Sequence, residues 1–479
     1  MTATSPQFRY WVDMALECVR RDHTQKISAG DQRGPVLSAR ALGLALGALH
    51  DMAAAGPGGT PILPVAPAPP PGPAVVAAAA ACHEVLVRRY PKQRGLLDSA
   101  WRDWVEYQKL TGIGPAETAG RAHGVAVDVF GANDPNWALP DQYKPTDAPY
   151  THQLPDHEQG QGFAGGIWGK ANPLVVPVVP GFPQPPRGDA HYDADLTLVK
   201  AKGHWNRAYG GPNGRDLNEE LIGIYWGYDG PAALGTPPRL YLQVVLEALD
   251  NLEARSNGAL GASEELRLVA GVAVAMADAG ISAWHYKYNP AHLMWRPVVG
   301  IRKAGGAAAD PAWLPLGRPD TNGTGQYLTP NFPAYPSGHA TFGAAAFQVT
   351  RLFLAEKKLA NFDAQGVDDI AFDFVSDEFD GRNTDPRTNV PRVHVTRGYD
   401  SLWRAIVDNS ISRVFLGVHW QFDGITTKDG AGSKFGVPAT PADTGQMGGV
   451  WLGAKIANAL AVQKLGVTPP TVTASRLAV

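Results

Sequence analysis

The chain has 479 residues, 44% hydrophobic and 18% charged, a balance that suits one large globular unit or two smaller ones with a substantial core. Its formal net charge of −3 argues against nucleic acid or an anionic membrane as a general partner, so any affinity for anions must come from a few converging cations. Two cysteines, Cys18 and Cys82, make neither a disulfide framework nor a cysteine metal-site pattern.

Met1–Arg20 lacks the basic region and apolar run of a secretory signal, and the longest apolar run, Ala74–Ala81, is too short to span a bilayer. The expectation is a soluble protein with no membrane partner, cytoplasmic or exported by a non-classical route. Apolar spacing predicts helices over Phe8–Arg20 and Leu37–Ala55, a Pro/Gly loop over Gly56–Pro73, and helices over Ala74–Tyr90, Leu96–Leu110 and Glu117–Phe130. From Gly131 to about Asn213, Pro, Gly, Asp and Tyr dominate and no period holds. This stretch reads as a long connection packed on its own aromatic residues, with Trp137, Trp168 and Trp205 as anchors. Helical patterns return over Arg239–Arg255, Ser263–Trp284, Gly338–Lys357, Leu402–Trp420 and Gly448–Leu465, while alternating strand-like runs are scarce. The predicted class is all-α, two packed helical bundles with long irregular connecting loops. Residues 1–215 would form the N-terminal bundle and the Pro/Gly-rich region, and residues 216–479 the C-terminal bundle carrying the site.

Three segments carry chemistry. In Phe332-Pro333-Ala334-Tyr335-Pro336-Ser337-Gly338-His339, two prolines force an extended entry, Ser337 caps a helix and Gly338 leaves room beside free amides. A helix start of this kind suits an oxyanion, with His339 in the first turn beside it. Ser412-Arg413 is followed by His419 and Asp423. His419 and Asp423 stand four apart, so on a helix they share a face and the carboxylate can fix the imidazole tautomer. Trp284-His285-Tyr286-Lys287 and Trp295-Arg296-Pro297 supply two further cations. Taken singly, each segment also fits an ordinary capped helix, a packed histidine or a solvated basic face.

Together and in this order, the segments resemble the motifs of the type 2 phosphatidic acid phosphatase superfamily: Lys and Arg-Pro, then Pro-Ser-Gly-His, then Ser-Arg, His and Asp. Within it the chain looks most like the vanadium-dependent haloperoxidases of the fungal chloroperoxidase type. The resemblance rests on SARALG (Ser38–Gly43), YWGYDG (Tyr225–Gly230), GTPPRLY (Gly235–Tyr241), DAGISAWHYK (Asp278–Lys287), FPAYPSGHATFG (Phe332–Gly343) and ISRVFLGVHWQFD (Ile411–Asp423). One spacing departs from the family pattern: Lys287 and Arg296 stand nine apart instead of seven, with Asn289-Pro290 expected to end the helix near Lys287.

The resemblance implies a vanadate cofactor, with phosphate able to occupy the same site. His419 would be the one protein ligand to the metal, and Lys287, Arg296, Ser337, Gly338 and Arg413 would hold the oxygens. His339 would move protons and Lys287 would polarise bound peroxide. Asp229 would pair with Arg413, while Trp284 and Phe332 would form the apolar wall beside the halide. Phenylalanine at Phe332 resembles the chloroperoxidase pattern and favours chloride competence over bromide alone. The implied partners are hydrogen peroxide, halide and a small organic substrate, with the oligomeric state left open, a homodimer among the options. Two alternatives use the same pocket: a soluble acid phosphatase with His419 as nucleophile, and a non-catalytic helical protein that binds phosphate or vanadate. Gly160–Gly165 fits G-x-G-x-x-G, but no strand precedes it and no helix opens at it. His152, His157, His191 and His204 lack metal-ligand spacing and read as surface or structural.

Overall fold

The computed structural model describes residues 6–24, 28–132, 134, 141–255, 260–323, 329–428, 436–468 and 477. The expected all-α class holds: 54% of the fold is helix and 6% strand. The first 132 residues form α1 (Pro6–Asp22), α2 (Pro35–Ala53), α3 (Ala74–Arg89), α4 (Arg94–Tyr107) and α5 (Gly114–Ala132), each within three residues of the span its apolar spacing predicts. β1 (His23–Thr24) and β2 (Ser28–Ala29) form a minimal antiparallel ribbon between α1 and α2.

The long connection is less irregular than its composition suggests, because α6 (Ala190–Lys202) forms inside it. The Asp189 carboxylate accepts the Tyr192 N–H at 2.9 Å as an N-cap, and Tyr192, Leu196 and Val199 bury one stripe. Of its predicted aromatic anchors, Trp168 packs against Trp284 at a ring-centroid distance of 5.6 Å. Trp205 is 58% exposed and anchors nothing by burial; its backbone N–H, donated to Leu314, holds that turn instead. Trp137 lies outside the described residues.

The C-terminal half contains α7 (Leu217–Tyr225), α8 (Pro237–Arg255), α9 (Ala262–Lys287), α10 (Pro297–Arg302), α11 (Gly338–Glu356), α12 (Leu402–Phe415), α13 (Gln421–Gly424) and α14 (Gly448–Lys464). A ribbon that the sequence pattern missed, β3 (Phe372–Asp380) with β6 (His394–Tyr399), runs antiparallel and pairs Phe372 with Tyr399 and Val375 with Thr396. Between them lies the short pair β4 (Thr384–Asp385) and β5 (Val390–Pro391).

Helix α9 is the centre of the molecule. Among the described residues it alone is long and apolar enough by length and composition to cross a membrane, yet 94% of its apolar window is buried inside the fold. It is covered by α2, α11 and α14. The α11–α14 crossing is close enough that a Cβ at Gly453 would overlap the Thr341 carbonyl oxygen, so only glycine fits there. Asp278, buried on α9, accepts the N–H groups of Leu174, Val175 and Val176 at 2.5, 3.0 and 2.7 Å and ties the long connection to the core. Burial pushes its carboxyl up to about 7 despite those bonds.

Candidate functional site

The site forms where α11 begins. Pro333 and Pro336 keep the entry extended, and Ser337 ends it as the N-cap, its Oγ accepting the Ala340 N–H at 3.4 Å. The first-turn amides that follow have no acceptor within their own helix, which makes this terminus electropositive. The Ser337 N–H donates to the Asp423 carbonyl at 2.7 Å, so the Pro-Ser-Gly-His segment and the His419 segment are joined through their backbones.

Arg413 sits in the last turn of α12, which stops at Phe415 rather than continuing to Trp420. The apolar run Val414, Phe415, Leu416 and Val418 keeps the helical pattern across the break, but Gly417 takes φ +68° and turns the chain. His419 therefore lies beyond the helix, and Asp423 lies in the one-turn α13. The expected pairing survives without the shared helix face. His419 Nδ1 lies 2.9 Å from Asp423 Oδ2, which also accepts the Trp420 N–H at 3.0 Å. An ionised carboxylate there holds the proton on Nδ1 and leaves Nε2 as a lone pair. Arg296 Nη1 donates to that lone pair at 2.9 Å.

The irregular lysine–arginine spacing has the expected cause. Helix α9 ends at Lys287, a turn over Asn289–Leu293 follows, and Arg296 returns as the N-cap residue of α10. Both cations then meet the Phe332-Pro333-Ala334 strand from different sides. Lys287 Nζ donates to the carbonyls of Pro333 and Ala334 at 2.8 and 3.1 Å. Arg296 Nε donates to Phe332 at 2.9 Å and Nη1 to Val418 at 2.7 Å. Lys287 Nζ also lies 5.3 Å from the Trp284 ring and 5.1 Å from the Phe332 ring, whose centroids are 5.0 Å apart.

Arg413 Nη2 pairs with Asp229 Oδ2 at 2.8 Å. Asp229 Oδ1 also lies 3.8 Å from His339 Nε2, and that nitrogen is 2.7 Å from the Gly227 carbonyl. A carbonyl only accepts, so Nε2 carries the proton and Nδ1 is the basic nitrogen of His339.

Three buried cations thus face two buried carboxylates. Burial and then the neighbouring cations, Arg296 first, push both Lys287 and His419 well below their usual ranges. Burial and Arg413 hold His339 at about 4, and burial lowers Arg296 to about 9. Burial raises Asp423 well above the usual carboxylate range, opposed by Lys287 and Arg296. Burial would also raise Asp229, but Arg413, His339 and Arg318 outweigh it and keep its pKa low. An added anion would relieve most of these strains at once.

The donor inventory specifies the kind of anion. Arg296 Nη2 and both Nε and Nη1 of Arg413 are buried without a hydrogen-bond partner among the described residues. Unpartnered buried donors cost roughly 1–3 kcal/mol each, so three around one lone pair call for an acceptor-rich group. Among the described residues, no cluster of three His, Cys, Asp or Glu could cage a bare cation. The residues fit a tetrahedral oxyanion whose central atom meets His419 Nε2, and vanadate has that form.

Of the sequence-predicted site residues, Asp229, Trp284, Phe332, Gly338, His339, Arg413 and His419 line one cavity of about 420 Å³. Arg296 and Asp423 bond to His419 on its wall, Lys287 lies against the Trp284 and Phe332 rings, and Ser337 precedes the lining Gly338. Sequence reasoning missed three supports. Tyr241 Oη and Asn409 Nδ2 both donate to the His339 carbonyl, at 3.0 and 2.9 Å. Asp195, on α6, accepts the Phe422 N–H at 2.8 Å, with its carboxyl raised by burial to about 7. Tyr241 lies in the quoted GTPPRLY stretch, but Asp195 had no signal beyond burial. Of the four loop histidines, His152 and His204 are buried structural groups, His191 is partly buried and His157 is exposed.

Residues 267–440 match the family model of the VCPO second helical-bundle domain. The chain is 33% identical over 345 residues to the vanadium chloroperoxidase of Curvularia inaequalis, over 63% of this chain and 56% of that protein. The chain therefore spans a little over half the length of that relative in the match. A bacterial vanadium-dependent iodoperoxidase structure superposes with a TM-score of 0.66 at 19% identity, covering 95% of this chain and 96% of its own. The holo form of a bacterial vanadium-dependent chloroperoxidase gives 0.58 at 15% identity, covering 90% and 92%. The chain has the vanadium haloperoxidase fold.

Proposed function

We propose that this chain, with the fold and motif order of the vanadium haloperoxidases, is itself a vanadium-dependent haloperoxidase. It uses hydrogen peroxide to oxidise halide to hypohalous acid. The observation that carries the reading is the Nε2 lone pair of His419, ringed by buried guanidinium donors that have no acceptor of their own. Bound vanadate supplies a Lewis-acid centre that makes peroxide oxygen electrophilic while the metal keeps its highest oxidation state.

The chain's residues do the rest. His419 Nε2 would hold the central atom, with Asp423 fixing the tautomer. Arg296, which donates to that nitrogen, would turn its donors to the anion's oxygens. Arg413, oriented by Asp229, would neutralise them as well. The third N–H of Lys287 and the Ser337–Gly338 helix start complete the cradle. His339 Nδ1 would accept a proton from hydrogen peroxide and pass it to an oxygen of the bound anion, while its Nε2–H stays on Gly227. A neighbouring anion lifts its pKa from about 4 toward the neutral range where such a shuttle works. Trp284 and Phe332 give halide a dry wall beside the Lys287 charge, which supports oxidation of bromide and also of chloride. The division near residue 215 would leave the anion cradle in the C-terminal unit.

Peroxide-dependent bromination of phenol red with and without orthovanadate tests the reading, alongside hydrolysis of p-nitrophenyl phosphate by vanadate-free protein. Bromination should require vanadate. Its absence at every pH sinks the proposal. Phosphate hydrolysis in its place makes His419 a nucleophile, and tight anion binding with neither activity makes the chain a binding protein.

A further inference from the structure

The cavity extends beyond the anion cradle. At about 420 Å³ it falls in the range of small organic ligand sites, roughly 300–1,000 Å³, and exceeds what a tetrahedral anion and peroxide require. Its outer wall is built by parts of the chain remote from the chemistry. Arg33 is exposed at the mouth and makes no ion pair among the described residues. Arg318 is half-buried, and its Nη1 reaches only the Asp229 backbone carbonyl, at 3.4 Å. The one carboxylate lining the cavity, Asp229, is committed to Arg413. His23, also on the wall, is kept neutral by burial and lies between the Val19 carbonyl at 2.9 Å and the Gly34 N–H at 3.4 Å. The mouth therefore presents two guanidinium groups, Arg33 with no ion pair among the described residues and Arg318 with no carboxylate in direct contact, though Asp229 and Glu158 lie within its field.

Between mouth and cradle the lining is aromatic. The Trp168 ring lies 5.6 Å from Trp284, which lies 5.0 Å from Phe332. Arg33 is held in register with this wall. At the next residue, Gly34, φ is +93°, and a Cβ would come within 2.5 Å of the Trp168 ring, so the turn that presents Arg33 rests directly on that ring.

We propose that the outer half of the cavity is a binding subsite for an aromatic carboxylate, its ring against Trp168 and Phe332 and its carboxylate on Arg33 and Arg318. Planar guanidinium groups match a carboxylate in shape and charge, and the aromatic wall takes the ring. As the organic acceptor of the halogenation, which rests on the haloperoxidase reading, the ring would gain a carbon–halogen bond from hypohalous acid. It would lose its C–H proton, which leaves with the hydroxyl as water.

The test is calorimetric titration of vanadate-saturated protein, without peroxide, with 6-hydroxy-2-naphthoate and with its methyl ester. The acid should bind more tightly than the ester. Arg33→Gln and Arg318→Gln should each weaken the acid by about three- to fivefold, the scale of a solvent-exposed charge pair, and leave the ester unchanged. Arg33→Lys should keep most of the preference. Equal affinity for acid and ester, insensitivity to both substitutions, or competitive displacement of the acid by vanadate each overturns the subsite. The expected binding without vanadate-dependent bromination leaves the subsite standing and sinks only the haloperoxidase reading, and bromination without charge discrimination does the reverse.

Discussion

At the inner end of the cavity, Lys287, Arg296 and Arg413 are buried and each is held by a carbonyl or a carboxylate. At the mouth, Arg33 stands exposed without an ion-pair partner among the described residues, and Arg318 makes one long bond. Buried charge must be fixed in place to be tolerated, and a fixed charge is already arranged for its ligand. Exposed charge is screened by solvent, so it can bias which molecule enters but contributes little to holding the fold. The inner end thus suits the proposed anion cradle and the outer end the proposed filter.

The sharpest way to break the contrast is His419→Ala, which should weaken vanadate retention by more than about a hundredfold in equilibrium dialysis, beyond the usual effect of removing a metal ligand's hydrogen-bond partner. Retention at native affinity would place the metal ligand elsewhere. Next in size, Asp229→Asn strands the buried Arg413 and should cost about 3–5 kcal/mol in denaturant unfolding of anion-free protein. Phosphate should recover more stability in this variant than in the native chain. A loss that phosphate leaves untouched would mean the pair is not part of the anion site.

Asp423→Asn lets the amide donate to Nδ1 and move the imidazole proton to Nε2. Vanadate affinity should fall about 10–100-fold while Tm changes less than in the Asp229 variant. Part of the pH dependence follows from His339, lowered from 6.5 to about 4, alongside His419, His152 and His83, which burial lowers in the same sense. Between those values the unfolded chain takes up this proton and the folded chain does not, so anion-free protein loses stability as pH falls through that window. Phosphate, by raising the histidine's pKa, should flatten the slope, and His339→Gln should remove this contribution. A slope that phosphate leaves unchanged would put the histidine outside the anion's field. The smallest effect belongs to the mouth: Arg33→Gln should leave unfolding stability within about 0.5 kcal/mol of native. A larger loss would show that the filter also carries structure.

The sequence made the cradle more legible than its supports. Capping residues, apolar spacing and Pro290 act locally, so α1–α5, the α11 start and the end of α9 at Lys287 could be read from neighbouring residues. The end of α12 could not, because the apolar pattern runs on past Phe415 and the turn depends on the backbone of Gly417. Helix α6 was hidden by flanking Pro and Gly, although Asp189, Tyr192, Leu196 and Val199 carry an ordinary cap and stripe. The β3–β6 ribbon mixes Phe372 and Phe374 with acidic residues, which weakens its alternation. Asp195 and Asn409 act on backbone groups 227 and 70 positions away, and no local pattern encodes such distances.

The Asp195 bond also limits how this chemistry can be moved between proteins. The stretch matching the family model begins at residue 267, and Asp195, Asp229 and Tyr241 all lie upstream of it. A graft of that stretch alone would carry the side chains proposed to hold vanadate but leave behind the props that hold the 420–423 turn, the Arg413 fork and the His339 carbonyl. Transplanting the activity into another scaffold therefore means taking α6 through α8 as well.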